Sequence, residues 1–203
     1  MDSRAVTIVA VAAVAAASLA SGSAAASTGA VAASPGSHVW HAAIEVPGTA
    51  TLNQGGGAEI TSVSCASPGN CSAGGFYEDN LGSNQAFVVS QVGGTWHPAV
   101  EVPGTAALNR GGEAGIGVSC AAAGNCSGGG FYRDTPNTFQ AFVVSQVNGA
   151  WHTAVEVPGT AALNRDGNAQ IGALSCAAVG NCSAGGSYTD GSGRQQAFVV
   201  SQT

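Results

Sequence analysis

One stretch recurs three times and limits what the chain can become. WHAAIEVPGTATLN from Trp40, WHPAVEVPGTAALN from Trp96 and WHTAVEVPGTAALN from Trp151 open successive copies, and each copy repeats the same later landmarks. Cysteines fall in pairs at Cys65/Cys71, Cys120/Cys126 and Cys176/Cys182, and QAFVVSQ follows at Gln85, Gln140 and Gln196. A regular period of about 55 residues indicates supersecondary units that stack on their neighbours, because a unit of this size cannot bury its apolar face alone.

Within a unit, four short runs read as strands. In the first copy they are Ile60–Ala66, Cys71–Tyr77, Gln85–Val92 and Trp96–Val102, each partly β-branched or aromatic and bounded by Gly, Pro, Asn or Asp. The repeats show no helical apolar periodicity. Asn148-Gly149 suits a type I′ hairpin turn, which needs positive φ at both positions. Pro103-Gly104 and Pro158-Gly159 close the fourth strand, since Pro cannot donate to a ladder and Gly supplies the turn. The expected unit is an antiparallel four-stranded meander followed by a loop of about a dozen residues.

Each cysteine pair encloses five residues, as in CASPGNC, and these can turn the chain between the first two strands. Three hairpin disulfides are therefore expected. A metal site is the rival, but no His lies nearby and the spacing departs from the usual C-x2-4-C. Asn70, Asn125 and Asn181 head triplets of glycosylation form, yet turn chemistry already accounts for each.

The N-terminus points to the compartment. Arg4 precedes the apolar run AVTIVAVAAVAAASLA, and small residues at Ala24 and Ala26 complete an A-x-A cleavage pattern. Residues 1–26 read as a secretory signal peptide, 27–38 as a flexible Ala/Ser/Gly lead-in, and 39–203 as one repeat domain. An uncleaved anchor is the rival, disfavoured because the run is short for a bilayer span. The expected location is secreted and extracellular, where disulfides persist and no membrane association remains after cleavage.

Charge removes another class of function. The net charge is −6, lysine is absent, and the five arginines are scattered singly, so nucleic acid is not an expected partner. No nucleophile elbow, Walker loop, dinucleotide fingerprint or H-E-x-x-H pair occurs, and neither a catalytic residue, a metal nor a cofactor is assigned. His41, His97 and His152 precede Glu45, Glu101 and Glu156 by four residues. Along a strand that distance is ~13 Å, too far for acid–base coupling. These residues read as solvent-facing positions alternating with a buried series.

The ends of the repeat array carry an expectation about closure. The third copy stops at QAFVVSQT without a fourth strand, whereas the strand from Trp40 has no preceding unit. Pairing the first strand with the last unit would complete a ring and remove an exposed edge. With the four-stranded meander and the repeat length, this offset resembles β-propeller blades. TDGSGRQQAF at Thr189–Phe198 resembles the Asp-box of sialidase-type propellers but lacks its Trp, so no sialidase activity follows. From Trp40 to Thr203 the chain is also similar to uncharacterised secreted bacterial proteins with Cys-containing tandem repeats, a resemblance that implies no activity. A closed propeller has four to eight blades. Three therefore suggest a homodimer closing a six-bladed ring, a three-fold β-prism or β-trefoil-like monomer, or part of a longer propeller.

Candidate ligand residues sit after the second strand, in FYEDN, FYRDT and SYTDG. Tyr77/Asp79, Tyr132/Asp134 and Tyr188/Asp190 each set an aromatic face beside a carboxylate, which suits a sugar. Several weak sites in one array would bind with avidity. The alternative is that Tyr packs between units while Asp closes a turn. The resulting expectation is a non-enzymatic secreted protein that binds an extracellular ligand such as a glycan or cell surface. A structural or protein-interaction module is the second reading.

Overall fold

The computed structural model describes residues 40–203, and the predicted signal peptide and lead-in lie outside the described residues. The first sheet contains β1 (Ala58–Ser67), β2 (Asn70–Glu78), β3 (Asn84–Val92) and two short outer pieces, β4 (Thr95–Trp96) and β5 (Val100–Glu101). The second repeats it with β6 (Ala114–Ala122), β7 (Asn125–Thr135), β8 (Thr138–Val147), β9 (Ala150–Trp151) and β10 (Val155–Glu156). The third has β11 (Gln170–Ala178), β12 (Asn181–Thr189) and β13 (Gln195–Gln202). All named pairings are antiparallel, so the protein is all-β and built from repeated meanders. PGTATL and its two PGTAAL counterparts close as single helical turns, α1 (Thr49–Leu52), α2 (Thr105–Leu108) and α3 (Thr160–Leu163).

The predicted fourth strand is split in both copies that possess it. After Trp96, His97 N–H still donates to Ser90 O, but Ala99 N–H turns away to Pro47 O of the preceding turn at 2.7 Å. The second copy repeats this, with Ala154 N–H donating to Pro103 O at 2.8 Å. The outer strand thus divides its hydrogen bonds between its own sheet and the Pro-Gly turn before it. That divided duty is what breaks it into two dipeptides.

The sheets stack in chain order. β6 lies against β1, β2 and β3, while β11 lies against β6, β7 and β8. Side chains tie each inner strand to the next. Ser64 Oγ accepts Cys120 N–H at 2.9 Å, and Ser119 Oγ accepts Cys176 N–H at 3.1 Å. The apolar core lies between sheets: Ala86, Val88 and Val102 meet Ile116, Val118 and Phe142 in one cluster, and Ala141, Val157 and Ala169 form the next.

The hexapeptides NCSAGG and NCSGGG owe their form to this stacking. A methyl group on the last glycine, Gly75, Gly130 or Gly186, would overlap the carbonyl oxygen of Glu59, Gly115 or Gln170 on the paired strand. One residue earlier, Gly74 and Gly129 leave room for the next sheet, with Ile116 and Ile171 atoms 3.0 Å from where a Cβ would stand. The cysteines lie directly opposite one another at the hairpin ends, and the expected bonds Cys65–Cys71, Cys120–Cys126 and Cys176–Cys182 are all formed.

The expected completion of the third sheet by the chain's own first strand is not made. Trp40–Val46 contains no strand, and among the described residues β13 pairs only with β12. The segment from Val46 onward is already engaged at the first sheet, where Val46 and Leu52 pack against the Tyr77–Phe87 cluster. Replacing Cys120 and Cys126 together by Ser should lower unfolding stability by about 2 kcal/mol through lost loop restriction. Chemical denaturation of the oxidised double variant beside the parent measures this loss.

Candidate functional site

The residues that suggested a ligand site turn out to be engaged within the sheets and their turns. Tyr77, Tyr132 and Tyr188 lie within β2, β7 and β12 rather than in the loops that follow. Tyr77 and Tyr132 are only 4% and 3% exposed. Their hydroxyls donate to Glu101 at 2.8 Å and Glu156 at 3.2 Å, on the outer strands of their own sheets. Their rings lean on Phe87 and Phe142. Neither offers a free aromatic face to a sugar. Tyr188 is half-buried beside the cluster of Ala141, Val157 and Ala169.

The aspartates serve the loops. Asp79 Oδ1 accepts the N–H groups of Leu81 and Ser83, while its Oδ2 accepts Gln85 Nε2 at 3.0 Å. Asp190 holds Ser192 and Arg194 in the same way and accepts Gln196 Nε2 at 3.2 Å. Burial alone would raise the Asp79 pKa, but the Gln85 side chain and the two backbone donors together hold it below its ordinary value. Asp190 is held at about 2, chiefly by the Ser192 hydroxyl and backbone N–H. Asp134 differs: it lies within β7, at the register shift between Arg133 and Thr135, and keeps a buried Oδ1 without a hydrogen bond among the described residues.

Sequence reasoning missed the residues at the centre of each junction. Asn109 is 5% exposed and joins two sheets. Its Nδ2 donates to Asn84 O and Gln85 Oε1, both at 2.9 Å, while its Oδ1 accepts Glu113 N–H at 2.8 Å and Arg133 N–H at 3.3 Å. Asn164 repeats the arrangement between Phe139, Gln140 and Asn168. The available signal was the invariance of Leu-Asn at the end of all three opening stretches. Asp79 is therefore the first member of a relay in which it orients Gln85, and Gln85 receives Asn109. An asparagine suits the hub because its amide donates and accepts at once without carrying charge.

His97 and His152 are exposed, and no cluster of three His, Cys, Asp or Glu side chains that could hold a metal occurs among the described residues. A cavity of about 440 Å³ lies where the three sheets meet and is lined mainly by Gly, Ile, Leu and Phe residues such as Gly117, Gly129, Ile171 and Phe131. A second, of about 340 Å³, is bordered by His97, Gln146 and Trp151. Ser72 and Ser90 also line the second, where Ser90 Oγ lies 3.4 Å from Ser72 Oγ and accepts Gln146 Nε2 at 3.0 Å. No protein family matches the chain, and no curated protein matches it in sequence.

Burial first, and then the neighbouring glutamates, push the Tyr77 and Tyr132 hydroxyls well above the ordinary tyrosine value of 10.0. The native state consequently keeps these protons at pH values where the unfolded chain has lost them. Their contribution is intact below pH 10 and declines as pH rises beyond it. Tyr77→Phe combined with Tyr132→Phe should flatten the alkaline fall in stability above pH 10, as read by denaturation midpoints across pH. Asn109→Ala leaves two backbone N–H groups without their acceptor and should cost about 2–4 kcal/mol of stability in the same assay.

Proposed function

We propose that the protein is a secreted, non-enzymatic repeat module whose role is structural or protein–protein interaction, with sheets that act as blades of a propeller-like array. The observation that carries this reading is that the conspicuous polar and aromatic side chains are consumed internally, the tyrosines within their own sheets and the glutamines in joining one sheet to the next. Tyr77 and Tyr132 are spent on Glu101 and Glu156, and Gln85 and Gln140 on Asn109 and Asn164. A protein that devotes its repeated polar groups to internal junctions offers a partner shape and edges rather than a chemical pocket.

The extracellular assignment draws on two supports. Three disulfides and no free cysteine among the described residues are typical of extracellular proteins. The basic, apolar and A-x-A order of the first residues fits export. No described helix is long and apolar enough to cross a membrane.

Glycan binding is the second reading, favoured by one observation. Tyr188 keeps part of its ring accessible beside the turn held by Asp190. An array of glycans and cell-wall polysaccharides separates the two readings. The expected result is no retention of any saccharide by the purified protein. Saturable binding that Tyr188→Ala abolishes would replace the module reading with the glycan reading.

A further inference from the structure

The two junctions inside the chain are built from one set of partners, and the same partners stand unpaired on the two outermost faces. At the outer face of the third sheet, Val199 is 86% exposed, whereas its counterpart Val88 is 0% exposed and shares a buried cluster with Ile116 and Val118 of the next sheet. The notch at Gly185 is open: the nearest atoms to a Cβ there belong to Phe198 and Val199 of the neighbouring strand. At the corresponding notches, Gly74 and Gly129 are filled by the isoleucines of the next sheet. β13 also has a free edge. Val102 N–H donates to Ala86 O and Val157 N–H to Ala141 O, but Ala197 O receives no such donor among the described residues.

The front of the first sheet carries the complementary half. Val63 is 59% exposed, while its counterpart Val118 is 7% exposed. The Glu45 carboxylate, equivalent to the glutamates that receive Tyr77 and Tyr132, is exposed and among the described residues accepts only the Thr49 hydroxyl at 3.5 Å. Asn53 is the first hub asparagine, and its Oδ1 is buried without a hydrogen-bond partner among the described residues. In the other two copies the preceding sheet holds the amide nitrogen and thereby aims the oxygen at its backbone donors. The orphaned oxygen of Asn53 is what a hub lacking its preceding sheet would show.

We infer that the outer face and free edge of β13 receive the front of the first sheet of a second copy of this chain, head to tail, in the register of the internal junctions. Tyr188 then meets the partner copy's glutamate at position 45, Gln196 receives the asparagine at 53, and Val199 covers the valine at 63. A second copy is the occupant because it supplies every group in the spacing that the two internal junctions already use, continuing one interface rather than requiring a new one. This rests on reading the protein as an interaction module, and its test is independent of saccharide binding.

Val63→Lys and Val199→Lys alter exposed residues of opposite faces, so each variant should fold with the parent circular dichroism spectrum. Light scattering of the full chain, oxidised, should give a multiple of the monomer mass. Each single variant should weaken self-association roughly a hundredfold, because the lysine would be buried against apolar surface. Mixing the two variants should restore a two-chain species, since one undamaged head and one undamaged tail remain. A monomer at all concentrations, or an assembly indifferent to Val199→Lys, would overturn the inference and leave the module reading to stand or fall on the saccharide array. Restoration by the mixture is the outcome that a nonspecific aggregate cannot produce.

Discussion

The architecture depends on a neutral hydrogen-bonding hub buried between consecutive sheets. Asn109 and Asn164 each bind the sheet before and the sheet after. Sheets made largely of Gly, Ala, Ser and Val have little side-chain volume with which to specify how they stack. Apolar contact favours burial but tolerates sliding, because it is nondirectional. A buried amide does not tolerate it: displacement by one residue would strand several donors and acceptors at once. The apolar clusters therefore supply much of the stabilisation, and the asparagines supply the register.

The same division of labour explains the composition. Small residues at Gly74 and Gly129 let the next inner strand approach closely, and the serines on those strands convert that proximity into hydrogen bonds. Ser62 Oγ, for instance, exchanges bonds with both the carbonyl and the N–H of Val118. Charge contributes little. Arg133 pairs with Glu113 and lies over the Phe139 ring, a half-buried arrangement at the rim of one junction that has no counterpart at the other among the described residues.

The strands and their turns were legible because they are encoded locally. Alternating apolar residues, Asn-Gly and Pro-Gly turns and evenly spaced cysteines each report on a few neighbouring positions. β2 and β3 fall within one residue of their expected bounds, whereas β1 begins two residues earlier, at Ala58. What the sequence concealed depends on contacts between units. Nothing around His97 or Thr153 signals that the next N–H will turn to a proline carbonyl in the preceding copy, and so the fourth strand was read as continuous. Tyr77 and Tyr132 looked like exposed ring platforms because the glutamates that claim them lie 24 residues further along the chain. Their partners become visible only when the outer strand is paired to β3 or β8.

Six cysteines can be joined in fifteen ways, yet each native bond here links residues only six positions apart. Any bond between copies would have to close a far larger span and overcome a correspondingly greater chain entropy. Oxidation can consequently find the right partner from the hairpin alone, before any sheet has met its neighbour. The repetition that would otherwise invite scrambled thiols is offset by the shortness of each loop.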